Sequence, residues 1–102
     1  MGESEKVLEA KLRKAIELRG GIALKLSSQL HRGLPDRMVL MPHAMIYFVE
    51  MKSSGKRPTA LQRLCHDRLR KLGYFVAIID SSEALDNFLS VVDWEQTEIR
   101  KR

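Results

Sequence analysis

The run Met45-Ile46-Tyr47-Phe48-Val49 passes without a break into Glu50-Met51-Lys52, and a second apolar run, Phe75-Val76-Ala77-Ile78-Ile79, follows some twenty residues later. The first reads as a central strand and the second as a strand buried on both faces. Between them Leu61, Leu64, Cys65, Leu69 and Leu72 supply the apolar face of a helix over Thr59 to Leu72, and Gly73 is a good stop. A strand–helix–strand unit from Met45 to Asp80 implies a parallel pair with a right-handed crossover.

Upstream, Leu8, Leu12, Ala15 and Ile16 mark an amphipathic helix over Glu5 to Arg19, with Ser4 as N-cap and Gly20-Gly21 as its end. Ile22 to Leu26 reads as a short strand and Ser27 to Pro35 as a loop. Arg37 to Met41 and Met45 to Lys52 form an antiparallel hairpin around Pro42-His43-Ala44. Downstream, Ser81 or Ser82 caps a last helix through about Val92, whose apolar side includes Leu85, Phe88, Leu89 and Val92. The expected order is α-β-β-β-α-β-α, an α/β fold with helices packed on a mixed sheet. With 102 residues, the chain is expected to be one domain, with a core over about 5–92 and a charged, fraying tail over 95–102.

Strand geometry sends residues i and i+2 to the same face, so Glu50 and Lys52 project together while Met51 points away. If the segment holding Asp36 runs alongside, two carboxylates and an ammonium converge. That mixture suits a metal-dependent phosphodiesterase. Mg²⁺ takes oxygen ligands and keeps several waters. A bound metal activates water and stabilises charge on phosphate. A neighbouring lysine orients or deprotonates the water, or stabilises the developing oxyanion.

The net charge of +5 favours a polyanionic partner. Lys56, Arg57, Arg63, Arg68, Arg70 and Lys71 are candidate contacts to a nucleic-acid backbone, as are His31 and Arg32 ahead of Asp36. Lys25 is a candidate phosphate contact from the strand before that loop. No apolar run approaches the roughly 20 residues of a membrane span, and the charged N-terminus is expected not to act as a signal peptide. A lone Cys65 excludes an internal disulfide and a cysteine-rich zinc site, and the expected compartment is a reducing cytoplasm. The scattered His31, His43 and His66 lack metal-ligand spacing and are given no chemical role.

Gly33-Leu34-Pro35-Asp36-Arg37, then Phe48-Val49-Glu50-Met51-Lys52, then Pro58 and Gln62, in this order and at this compact spacing, resemble the VRR-NUC domain of the PD-(D/E)xK nuclease superfamily, in its small stand-alone phage and bacterial form. The similarity covers roughly residues 5–82. The resemblance implies a restriction-endonuclease-like core and cleavage of DNA with Mg²⁺ or Mn²⁺. It makes Asp36 and Glu50 metal-binding carboxylates, Lys52 the catalytic lysine, and Gln62 a residue that supports a water or phosphate contact. Glu9, or Glu5 one turn earlier, would complete the metal site from the first helix. Small members resemble Holliday-junction resolvases, which implies branched DNA as substrate and a homodimer whose two-fold symmetry matches paired cuts. Flap cleavage, nicking, duplex cutting and a non-catalytic binding role stay open.

Overall fold

The computed structural model describes residues 3–27 and 32–102; His31 lies outside them. The elements are α1 (Glu5–Leu18), β1 (Ile22–Lys25), β2 (Arg37–Met41), β3 (Met45–Met51), α2 (Ala60–Lys71), β4 (Phe75–Ile79) and α3 (Ser82–Arg100). The strands lie in the order β1-β2-β3-β4. The first two pairings are antiparallel and β3 pairs with β4 in parallel, as the crossover requires. The β2–β3 connection is tight because His43 (φ 66°) and Ala44 (φ 59°) both take left-handed backbone, which lets Met41 pair with Met45.

Alternation along the strands divides the sheet into two unlike faces. On one, Val39, Met41, Tyr47, Val49 and Met51 pack with Leu8, Leu12 and Ile16 of α1 and with Leu85, Phe88 and Val92 of α3. This is the main core. The other face carries Phe48 and Glu50, and α2 contributes the buried Cys65 and His66 there.

Three expectations are corrected. The apolar face expected of α2 is only partly buried: Cys65 is buried and Leu69 half-buried, but Leu61, Leu64 and the C-cap residue Leu72 are 47%, 60% and 74% exposed. The helix is instead turned so that Cys65 and His66 meet the sheet, because it lies over a polar site rather than over the main core. Phe75 is 41% exposed rather than buried, since β4 is an edge strand. The segment expected to fray is helical to Arg100. It is tied back by Tyr47, whose hydroxyl donates to Glu95 at 2.8 Å, and by the buried Gln96, which donates to the Pro42 carbonyl at 2.9 Å.

Candidate active site

The β2–β3 register pairs Arg37 with Val49. One residue earlier, Asp36 therefore falls beside Glu50 on the same face. Two hydrogen bonds fix Asp36 there. Its carbonyl accepts from Leu26 N–H at 2.8 Å, and its Oδ2 accepts from Met51 N–H at 2.7 Å. The loop that delivers it passes close to α2. Gly33 has φ +86°, and a Cβ at that position would meet the Leu61 carbonyl oxygen at 2.7 Å. Only glycine suits both the backbone angle and the contact.

Thr59 and Gln62 form a capping box at the start of α2. Thr59 Oγ1 accepts from Gln62 N–H at 3.2 Å, and Gln62 Oε1 accepts from Thr59 N–H at 2.9 Å. With its oxygen engaged at the cap, Gln62 turns its Nε2 toward the site and donates to Glu50 Oε2 at 3.2 Å. Lys52 sits just beyond β3, held by its own N–H donating to the Ile79 carbonyl at 2.9 Å. Its Nζ lies 3.5 Å from Glu50 Oε2.

Glu50 is the electrostatic centre of this group. Only about 1% exposed, its carboxyl is pushed up from 4.5 to about 8, first by burial, then by the Asp36 charge and a hydrogen bond with Asp36; Lys52 pulls the other way. Two carboxyl groups pressed together resist ionising as a pair. A divalent cation held by the two carboxylates would remove that penalty.

The structure thus brings Asp36, Glu50, Lys52 and Gln62 together. Glu9 does not join them. It lies on the α1 side of the sheet, where its Oε1 accepts from Arg37 Nε at 3.1 Å and Nη2 at 2.9 Å. Arg37 is itself buried and also donates to the Ala23 carbonyl. Glu5 is exposed. Lys25 pairs with Arg37 in the β1–β2 register, so it too belongs to the face opposite Glu50. Arg32, Lys56 and Arg57 are exposed in loops.

Sequence reasoning missed His66. It is buried, with Nε2 3.5 Å from Glu50 Oε1, and burial lowers its pKa, helped by Arg70. The available signal was its spacing of four from Gln62, which puts both on one helix face.

Asp36 and Glu50 fit a hard cation by donor type, since both offer carboxylate oxygen, and Glu50 Oε1 has no hydrogen-bond partner. Among the described residues no group of three or more His, Cys, Asp or Glu side chains gathers as a metal cluster. Two carboxylates would leave most positions of such a cation to water and other oxygen ligands.

No protein-family model matches the chain. A curated relative, "Putative nuclease p44" of Acyrthosiphon pisum secondary endosymbiont phage 1, is 43% identical over 89 residues, spanning 87% of this chain and 90% of the relative. A solved structure described as a VRR_NUC domain superposes with a TM-score of 0.78 at 29% identity, covering 86% of this chain and 97% of that one. In sequence along nearly its full length and in fold, the chain belongs to the VRR-NUC nucleases of phage type.

Proposed function

We propose that the chain is a divalent-metal-dependent DNA endonuclease that cleaves branched DNA as a homodimer. The observation that carries the metal-dependent part is the Asp36–Glu50 pair. Two carboxyl groups are held together, one of them buried and pushed up to about 8, beside a lysine on the same strand face. Such an arrangement is costly unless it serves a cation.

In this reading Asp36 and Glu50 hold Mg²⁺ or Mn²⁺. When bound, the ion supplies Lewis acidity toward water and toward a phosphate oxygen. Gln62 fixes the orientation of Glu50 through Oε2. Lys52, close to that same oxygen, orients the attacking water or balances charge on the phosphate as the bond to the leaving oxygen breaks. Exposed Arg32, Lys56 and Arg57 supply contacts to the DNA backbone from the loops, whereas Lys25 faces away from the site. Glu9, in its pair with Arg37, braces α1 against β2 beside the site.

The branched substrate and the homodimer rest on symmetry. A small chain with one site matches a four-way junction when two copies place two cuts across its two-fold axis. A panel of duplex, flap, splayed-arm and four-way junction DNA, cleaved in Mg²⁺, Mn²⁺ or EDTA, tests the reading. Paired symmetric nicks in the junction, made by a protein that sediments as a dimer, are expected. Preferential cutting of one flap strand by a monomer would overturn the junction reading and leave the metal site standing.

A further inference from the structure

His66 lies one helical turn beyond Gln62, so both side chains leave α2 on the same side, and both meet Glu50. Gln62 holds Oε2 at 3.2 Å; Oε1 faces His66 Nε2 at 3.5 Å. The imidazole and the carboxylate are each about 1% exposed. Glu50 Oε1, His66 Nδ1 and His66 Nε2 are all without a hydrogen-bond partner among the described residues. Buried polar atoms are rarely left so, because each costs its full desolvation. An apolar side chain of similar size would fill the volume without that cost, so packing alone does not account for a histidine here. The 3.5 Å separation is longer than a formed N–H···O bond, and a small turn of either side chain closes it.

We infer that His66 is the positioning residue of Glu50, its Nε2–H taking one lone pair of Oε1 as Gln62 takes one of Oε2, so that the carboxylate, with lone pairs left for the divalent cation, is held in one orientation. The inference rests on the metal-site reading above. His66 touches neither the ion nor the substrate; it acts through Glu50. Outer partners of this kind are commonly worth about 10–100-fold in metal affinity.

Glutamine and methionine are close in length and shape, but only glutamine keeps a donor, so His66→Gln and His66→Met isolate the hydrogen bond. Calorimetric titration of the full chain with Mn²⁺, without DNA, is expected to show binding weakened about 10–100-fold in His66→Met, with most of the loss recovered in His66→Gln. The melting temperature of His66→Met in EDTA should stay level or rise, because an orphan polar ring has gone. Equal Mn²⁺ affinity in the two variants would overturn the inference, whatever their melting temperatures. A wild type that binds no Mn²⁺ would overturn the metal reading and this inference together; a wild type that binds it no better than His66→Met would overturn this inference alone. A measurement on the unaltered protein stands beside these. The ¹⁵N signal of the His66 Nε2 should shift on addition of Mg²⁺, and a signal that stays fixed while Mg²⁺ binds would overturn the inference.

Discussion

Gln62 has two jobs that a substitution can separate. It completes the α2 capping box, and it donates to Glu50. Glutamate also closes a capping box, but it offers no donor and adds a third carboxylate. Gln62→Glu is therefore expected to keep the melting temperature within a few degrees of wild type while losing most cleavage activity. Gln62→Ala should lose activity and also about 1 kcal/mol of stability with the reciprocal bond to Thr59 N–H. A Gln62→Glu protein of full activity would show that the amide contact to Glu50 does not matter. Glu50 itself makes a pH prediction. Its carboxyl lies near 8 in the folded chain against an ordinary 4.5. Stability from the protonated form is complete below 4.5 and is lost as pH rises through about 8. The metal-free melting temperature of wild type should thus fall, relative to Glu50→Gln, over that interval. Mn²⁺ binding should release protons below about pH 8. Parallel pH profiles for wild type and Glu50→Gln would contradict the buried carboxyl pair.

At the scale of elements, Asp36 is delivered by a loop pressed against α2, and two glycines with similar backbone test that packing. Gly33 (φ +86°) would place a Cβ 2.7 Å from the Leu61 carbonyl, whereas Gly55 (φ +80°) has nothing within 4 Å. Gly55→Ala should cost only its left-handed backbone, about 1–2 kcal/mol. Gly33→Ala should cost more than that and reduce cleavage as well, since α2 and the Asp36 loop must part. Equal melting temperatures for the two variants would show that the close approach is unimportant. The strands and their order were legible because apolar runs, Gly-Gly and the strand–helix–strand unit are local signals. The rotation of α2 was not. Its leucine spacing describes an apolar face but cannot say what the helix lies over, and here the buried residues are Cys65 and His66. The end of α3 was hidden for a similar reason. Tyr47 and Pro42, which hold Glu95 and Gln96, are about fifty positions away along the chain. The convergence of Asp36, Glu50, Lys52 and Gln62 was legible because a short motif and strand parity carry it. Glu9 was drawn elsewhere by Arg37, a partner 28 residues distant.

Over the whole molecule, α1 and α3 build the core on one face of the sheet, and α2 lies with Glu50 on the other. Stability and chemistry are thereby largely separated. Changes to Asp36 or Glu50 should leave the core intact, and Glu50→Gln should raise metal-free stability above about pH 8, where the wild-type Glu50 is ionised beside Asp36. The net charge of +5 supplies attraction to DNA, so binding should weaken steeply with salt, and it should do so equally in variants of the site. Leu61 and Leu64 of α2 and its C-cap Leu72 are exposed. The most direct test of the central claim measures cleavage and Mn²⁺ binding together for wild type, Asp36→Asn, Glu50→Gln and Lys52→Met. Wild type should cut DNA only with Mg²⁺ or Mn²⁺. Asp36→Asn and Glu50→Gln should lose both cleavage and Mn²⁺ binding, and Lys52→Met should lose cleavage while still binding Mn²⁺ and DNA. Full cleavage by wild type in EDTA, or by Asp36→Asn or Glu50→Gln in Mg²⁺, would contradict it.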